Sequence, residues 1–324
     1  MKFREREIKI PSIGVELTGT ATMPDGAGPF ACMILAGGSL SDTRDGKCIG
    51  HDDGMPCRDA LKRLAHVLAN AGYASLRWDK RAYSAIPPCD RPTNNRDDTD
   101  DLMAAMAFAR NDPAFSKIVV FGESAGAYFA GLAAKHGVYA DAYVFLGALC
   151  SSNDALFEYN YGQLYDYARR SEENMRWAES VSRNGLAVGK SYREILDAAR
   201  NGADSYKVRY KDRAFDYRLE RQREELADTP QDLFGYIKSP SLILHGVLDM
   251  NVPPVDAETA EAIMRKAGND NVTRIMIPDA DHSFQMAPRD LDARIRERHS
   301  FESFRNPYSP VFDAALLDWL KKNV

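Results

Sequence analysis

Short apolar runs alternate with amphipathic segments along most of the chain. Strand-like runs occur at EIKI (7–10), VELTGTAT (15–22), ACMILA (31–36), ASLRW (74–78), KIVVF (117–121), AYVFLGAL (142–149), SLILH (241–245) and TRIMI (273–277). Helix-like apolar spacing occurs in segments 58–72, 100–111, 256–268 and 313–323 and in the segment after residue 124. The first two runs are expected to form an antiparallel pair. Since strands separated by such helices usually pair in parallel, the pattern predicts an α/β fold, with a mostly parallel, doubly wound sheet.

Residues 151–236 break this alternation. They contain long polar, helix-like stretches and no run typical of a buried strand. Because the block lies between two sheet strands, we interpret it as a helical insertion into one core formed by residues 1–150 and 237–324. Ligands bind at the carboxyl edge of open α/β sheets, so we expect the insertion to form a cap or lid over that edge.

The insertion is rich in aromatic side chains, which have two interpretations. Such rings can wall an acyl or aryl pocket, or they can form the insertion's own small core, which their helical spacing favours. The residues concerned are Phe157, Tyr159, Tyr161, Tyr165, Tyr167 and Trp177. The sequence does not assign any of them to substrate binding.

Composition and charge exclude several classes of protein. Of 324 residues, 44% are hydrophobic and 27% charged, and no run approaches the roughly 20 apolar residues of a membrane helix. The charges, 42 Lys and Arg against 47 Asp and Glu, are interspersed, which argues against a nucleic-acid or membrane partner. The opening MKFREREIKI lacks the apolar core of a secretion signal, and five cysteines form no CxxC pair. We therefore expect a soluble cytoplasmic protein, with its oligomeric state open and a homo-oligomer included.

A serine bracketed by glycines is the first candidate for chemistry. Gly122-Glu123-Ser124-Ala125-Gly126 follows the run KIVVF directly and opens a helical segment. A strand, G-x-S-x-G and a helix form a sharp turn that holds the hydroxyl clear of the sheet, beside the helix N-terminus. Ser124 is therefore a candidate nucleophile, and a plain helix N-cap serine is the alternative.

A serine nucleophile needs an imidazole base, and the imidazole needs a carboxylate. Asp249 follows the run SLILH, and His282 follows the run TRIMI, so both occupy the loops after late strands. Asp249 could instead cap a turn and His282 could be an ordinary loop histidine. Asp279 and Asp281 compete for the role of acid, but Asp281 adjoins the imidazole in sequence and would have to fold back on it.

With Ser124, Asp249 and His282 in this order, the chain resembles the α/β-hydrolase superfamily, in particular bacterial serine esterases and serine aminopeptidase-like hydrolases. The HG-x-x-D-x-x-VP and D-H-x-F patterns carry the resemblance beside G-x-S-x-G. It implies hydrolysis of a carboxylic ester of a small molecule by water through an acyl-enzyme, with no cofactor or metal. Amide or peptide, thioester and carbon–carbon bond hydrolysis use the same triad, and a non-catalytic ligand-binding protein of this fold is the alternative from another class.

The resemblance also implies an oxyanion hole made of two backbone N–H groups. One should come from Ala125, after the nucleophile, and the other from the loop after ACMILA, where Gly38 is the first choice and Ser39 the alternative. Related proteins usually begin this loop with His-Gly, whereas this chain has Ala36-Gly37.

Two charged segments resemble a subgroup of bacterial esterases, SDTRDG (41–46) and LRWDKRAYSA (76–85). Their side chains could touch a charged substrate, but ion pairs that steady the loops are the favoured interpretation. The residues concerned are Asp42, Arg44, Asp45, Asp79 and Arg81. The nearby HDDG (51–54) suggests a metal site, yet adjacent carboxylates point apart and no second histidine stands at ligand spacing, so we expect no metal there.

Overall fold

A computed structural model describes residues 3–39, 41–48, 58–89 and 93–324. The strands of the described residues are β1 (Phe3–Ser12), β2 (Val15–Pro24), β3 (Phe30–Ala36), β4 (Ala74–Trp78), β5 (Phe115–Glu123), β6 (Ala142–Leu146), β7 (Ser205–Tyr210), β8 (Arg213–Arg218), β9 (Ser241–Gly246) and β10 (Val272–Ile277). The α-helices are α1 (Ala60–Asn70), α2 (Arg81–Ser84), α3 (Asn95–Asn111), α4 (Ala125–Lys135), α5 (Asn153–Phe157), α6 (Gln163–Ala168), α7 (Glu172–Val181), α8 (Arg183–Arg200), α9 (Glu220–Ala227), α10 (Pro230–Phe234), α11 (Val255–Lys266), α12 (Leu291–His299) and α13 (Pro310–Asn323). A π-helical turn (Glu158–Gly162) joins α5 to α6, and a 3-10 turn (Glu302–Arg305) follows α12.

Eight strands form one sheet in the order β1-β2-β4-β3-β5-β6-β9-β10. β2 runs antiparallel to β1 and β4, and the pairs from β4 to β10 are parallel. All eight strand-like runs of the sequence are strands of this sheet. The prediction of a mostly parallel sheet in an α/β fold is therefore confirmed.

Alternating residues of the central strands face two different helical layers. On β3, Cys32 and Ile34 pack with residues of α3, α4 and α11, whereas Met33 and Leu35 pack with residues of α1 and α13. All four side chains are buried, and burial of each large apolar side chain stabilises the fold by about 1.5–3 kcal/mol. Burial on both faces explains why the runs are almost continuously apolar.

The block 151–236 has an apolar core of its own. Side chains such as Phe157, Tyr167 and Leu186 pack together there, joined by Met250 and Ile295 from outside the block. The cap therefore shares part of its core with the loops that follow β9 and β10. The boundaries of the cap at residues 151 and 236 stay predictions.

The cap is not entirely helical, which departs from the expected helical insertion. β7 and β8 form an antiparallel hairpin around Lys211 and Asp212. Only Val208 and Tyr210 are buried on β7, and its other residues are exposed or half-buried. A strand buried on one side carries many charges, so it does not stand out as an apolar run.

None of the helices in the described part of the chain is both long and apolar enough to cross a membrane.

Candidate active site

The glycine-bracketed serine lies on a sharp turn between β5 and α4. Ser124 has φ 52° and ψ −116°, a conformation that costs about 1–3 kcal/mol in a non-glycine residue. The glycines on either side are needed for space. A Cβ on Gly122 would lie 2.7 Å from Ala127 Cα, and one on Gly126 would lie 2.2 Å from the carbonyl oxygen of Ala36. The two glycines therefore make this turn possible, and the packing around it keeps Ser124 in its strained conformation.

Asp249 and His282 meet at the carboxyl edge of the sheet. His282 Nδ1 lies 2.7 Å from Asp249 Oδ2, and both side chains are buried. Asp249 Oδ1 accepts the N–H groups of Asn251 at 2.7 Å and Val252 at 2.9 Å. Burial would raise the pKa of Asp249, but the facing His282 and His245 lower it, so Asp249 is an ionised carboxylate. Such an acceptor fixes the proton on Nδ1 and leaves Nε2 of His282 to act as a base.

The strand β6 brings the serine and the histidine to the same place. The Ser124 N–H donates to the Leu146 carbonyl at 2.8 Å. The next residue, Gly147, adjoins the imidazole so closely that a Cβ there would lie 3.0 Å from His282 Cε1 and Nδ1. These two contacts place the backbone of Ser124 near the Asp249–His282 pair.

The two competing carboxylates are engaged elsewhere. Asp281 Oδ1 accepts the N–H groups of Ser283 and Gln285 at 2.8 and 3.0 Å, and burial raises the pKa of Asp281 to about 7. Asp279 accepts a hydrogen bond from the Ser309 hydroxyl at 2.7 Å. The contact with His282 therefore favours Asp249 as the acid.

His245 is a residue of this site that the sequence reasoning passed over. It is the second-last residue of β9, is fully buried, and places Nε2 3.2 Å from Asp249 Oδ2 and 3.2 Å from the Val252 carbonyl. Burial would lower the pKa of His245, but the hydrogen bond and charge of Asp249 raise it. The signal in the sequence was its position four residues before Asp249 in the HG-x-x-D pattern.

Glu123, the second residue of G-E-S-A-G, was also passed over. Its buried carboxylate pairs with Arg58 at 2.6 Å and accepts the Ser41 hydroxyl at 2.6 Å and the Gly38 N–H at 3.0 Å. Burial would raise the pKa of Glu123, but the Arg58 charge and these two donors lower it to about 2. Arg58 also donates to the Ser283 hydroxyl at 2.9 Å, beside His282. This buried network joins the serine turn to the loops on both sides of it.

The network changes the choice of oxyanion donors. The N–H of Gly38, the first choice, points to the Glu123 carboxylate and is not available to a second acceptor in this structure. Ser39, the alternative, is the next residue along and is exposed. The N–H of Ala125 stands at the first position of α4, where no carbonyl of the helix can accept it.

The charged loop residues mostly contact one another. Asp79 accepts both the backbone N–H and the guanidinium of Arg44 at 2.7 Å, and Arg81 pairs with Asp101. Asp45 lies 3.5 Å from Arg77 Nε. These contacts agree with ion pairing as the favoured interpretation. Segment 51–54 lies outside the described residues, and within those residues no cluster of three His, Cys, Asp or Glu could hold a metal.

A cavity of about 220 Å³ lies between the cap and the loops beside His282. Of Ser124, Asp249 and His282, the last lines this cavity, together with Tyr161 of the cap and the aromatic rings of Phe301 and Phe304. Most of the aromatic residues of the cap pack in its own core, and Tyr161, which packs against that core, also faces this cavity. The Tyr159 hydroxyl donates to the Asp249 carbonyl, so this hydrogen bond joins the cap to the loop that contains Asp249.

Comparison with known proteins identifies the class that this fold and site define. The family model "Serine aminopeptidase, S33" matches residues 58–288. Since the match covers more than half of the chain, the chain belongs to this family of serine hydrolases with the α/β-hydrolase fold. The resemblance drawn from the sequence motifs is confirmed.

Individual relatives are esterases or proteins of the same fold. Esterase EstD of Thermotoga maritima is 23% identical over 282 residues, which are 86% of this chain and 60% of that protein. The chain thus spans 60% of the length of this curated relative. The esterase Pf2001 of Pyrococcus furiosus has a TM-score of 0.57 at 16% identity and matches 99% of this chain and 91% of its own. The α/β hydrolase GrgF of a Penicillium species has a TM-score of 0.58 at 16% identity and matches 100% of this chain and 99% of its own. The two solved structures agree with the fold.

Proposed function

We propose that this protein hydrolyses a carboxylic ester of a small molecule through an acyl-enzyme formed on Ser124. The observation that carries the proposal is the 2.7 Å contact between His282 Nδ1 and the ionised Asp249, at the sheet edge where Ser124 stands on its strained turn. The family and the esterase relatives support an ester as the substrate. Water is the second substrate, and no step requires a cofactor.

Each residue of the triad has one role in this proposal. His282 Nε2 takes the hydroxyl proton of Ser124, whose oxygen attacks the ester carbonyl. Asp249 holds the imidazole in the required tautomer and stabilises its protonated form. His282 then gives the proton to the departing alcohol, and a water that it deprotonates releases the acid from Ser124.

The tetrahedral oxyanion is stabilised by two backbone donors. We assign the N–H groups of Ala125 and Ser39, because the Gly38 N–H is held by Glu123. The cap, residues 151–236, acts as a lid in this proposal because its residue Tyr161 lines the cavity beside His282. The odd number of cysteines supports a reducing, cytoplasmic location.

A fluorophosphonate probe tests the proposal directly. The wild-type protein should be labelled at Ser124 and should hydrolyse p-nitrophenyl acetate, and Ser124→Ala should lose both, with kcat lower by at least about a thousandfold. Circular dichroism and thermal unfolding check that the variant is folded. Ser116→Ala, at an exposed serine of β5, provides the control. Failure of the folded wild type to be labelled would leave a ligand-binding protein as the function.

The choice of leaving group is tested in the same assay. Among matched p-nitrophenyl esters, thioesters and aminoacyl anilides, the esters should have the highest kcat/KM. A larger kcat/KM on the anilides than on the esters would replace the ester by an amide in the proposed function.

A further inference from the structure

The cavity beside His282 contains two guanidinium groups without a carboxylate partner. Arg294 and Arg298 stand four residues apart on α12, so their side chains share one face of the helix. Both line the cavity. No ion pair among the described residues includes either of them, although most arginines of this chain pair with Asp or Glu.

The contacts of Arg298 are all to neutral groups. Its guanidinium donates to the side-chain oxygens of Asn160, at 2.6 Å, and Asn251. It also lies 3.0 Å from the ring nitrogens of His299. Burial and the Arg298 charge hold the pKa of His299 well below its usual range, so His299 adds no charge at neutral pH. Amide oxygens satisfy the hydrogen bonds of the guanidinium but do not balance its charge.

Arg294 has fewer of its nitrogen atoms hydrogen-bonded than Arg298. Its Nη1 donates to the carbonyl oxygens of Pro288, at 3.3 Å, and Arg289, at 2.9 Å. Its Nε is buried and has no hydrogen-bond partner. A buried N–H without an acceptor is costly, which makes Arg294 ready to bind an anion that enters the cavity.

The two carboxylates that also line the cavity are hydrogen-bonded to other groups. Glu297 accepts a hydrogen bond from Asn306 at 2.9 Å, and Asp281 accepts the N–H groups of its own turn. Neither forms an ion pair with the arginines. The rest of the wall includes apolar side chains such as Leu248, Met250 and Phe304. The cavity therefore combines apolar walls with two guanidinium groups that lie outside any ion pair among the described residues.

We infer that the substrate is an ester that carries a free carboxylate, which binds Arg294 and Arg298 while the ester bond lies at Ser124 and His282. The inference rests on the proposed function and names its substrate class. Guanidinium groups bind carboxylates through paired, charge-assisted hydrogen bonds, and the apolar wall holds the carbon chain between the two ends. The same cations repel the free ammonium group of an aminopeptidase substrate, so the inference also favours the ester.

Two substrate pairs that differ in one charge test this inference. The first is the mono-p-nitrophenyl ester of adipic acid against the same ester with its free carboxylate replaced by a carboxamide. The second, with the charge on the alcohol side, is para-acetoxybenzoate against para-acetoxybenzamide. In at least one pair the wild type should prefer the carboxylate in kcat/KM by about ten- to hundredfold. Arg294→Gln and Arg298→Gln should each remove most of that preference, mainly through KM.

Arg296→Gln is the matched control. Arg296 lies on the same helix, but it contacts Tyr167, Asn174 and the Trp177 ring of the cap and does not line the cavity. This variant should keep the preference within about twofold, since it removes a charge from the helix but none from the cavity. Hydrolysis of p-nitrophenyl acetate shows whether each variant keeps its catalytic centre.

The outcomes separate this inference from the proposed function. If the neutral esters are hydrolysed and neither pair shows a carboxylate preference, or the preference survives both arginine variants, the inference is wrong and the ester hydrolase stands. If no ester is hydrolysed, calorimetry that compares the binding of adipamate with that of adipamide still tests the inference. Tighter binding of the carboxylate that is lost in Arg294→Gln supports the anion site, and equal binding overturns it.

Discussion

At the scale of single residues, Glu123 holds the candidate site together through one carboxylate. It lies directly before Ser124, and its two oxygens receive Arg58, the Ser41 hydroxyl and the Gly38 N–H. Since Gly38 and Ser41 flank Ser39, this carboxylate fixes the loop that carries the proposed oxyanion donor. We regard Glu123 as a positioning residue, since its ion pair and these hydrogen bonds are with loop residues and not with Ser124, Asp249 or His282.

Replacing Glu123 by glutamine should destabilise the fold and slow turnover. Glutamine keeps the shape but leaves the buried Arg58 charge without a carboxylate, which costs about 3–5 kcal/mol. Urea unfolding measures the stability, and kcat with p-nitrophenyl acetate measures the positioning, while KM should change less.

A double variant shows whether charge is the cause. Adding Arg58→Met to Glu123→Gln removes the uncompensated cation, and the double variant should recover part of the lost stability. If Glu123→Gln alone unfolds at the wild-type urea concentration, the carboxylate is not holding the network.

At the scale of elements, the cap meets the core where α9 packs against the start of α3. The Asn95 N–H at the start of α3 donates to Glu224 at 2.8 Å, and Asn95 Nδ2 lies 3.3 Å from Glu225. Arg221 of the same helix pairs with Asp98 at 2.8 Å. Burial raises the pKa of Glu225 to about 7, with Asn95 and Arg221 opposing the shift and Glu224 adding to it.

The raised pKa of Glu225 predicts a loss of stability as pH rises. The folded protein holds this proton up to about pH 7, whereas the unfolded chain releases it near the ordinary pKa of 4.5. Stability therefore falls between these values and levels off above the folded pKa. Glu225→Gln should be more stable than the wild type by about 1–2 kcal/mol at pH 8 and nearly equal to it at pH 4, by urea unfolding.

An exposed glutamate of the cap is the control for this pH dependence. Glu172→Gln removes a carboxylate whose side chain is 95% exposed, so its effect should be small and independent of pH. A stability difference for Glu225→Gln that is the same at both pH values would contradict the assigned pKa.

Elements also show why some features could be read from the sequence and others could not. The central strands are apolar on both faces, and G-E-S-A-G carries its own steric requirement, so both stand out locally. The hairpin of β7 and β8 is stabilised by the packing of Val208 and Tyr210 into the cap, and Glu123 acquires its role only because Arg58, 65 positions earlier in the printed sequence, folds back onto it. Contacts between distant segments leave no periodic signal.

At the scale of the whole molecule, both packing and hydrogen bonds join the cap to the segments that follow β9 and β10. Met250, in the loop after β9, and Ile295, on α12, belong to the cap's apolar core. Tyr159 bonds to the Asp249 backbone, and Arg170 pairs with Asp292 at 2.6 Å. A change in the packing of the cap should therefore alter the cavity without replacing Ser124, Asp249 or His282.

Loosening the cap should alter the preference for acyl chains more than the basic reaction. Leu186 is fully buried in the cap core, next to Gly185, which lines the cavity. Leu68 is equally buried, but it lies on α1 in the layer that also contains α13. Leu186→Ala and Leu68→Ala should each cost about 2–5 kcal/mol of stability. Only Leu186→Ala should lower kcat/KM for p-nitrophenyl octanoate by several-fold relative to the acetate, because a long chain uses the cap-lined cavity and an acetyl group does not. Equal losses on both esters in a folded Leu186→Ala protein would show that the cap stabilises the fold without selecting the substrate.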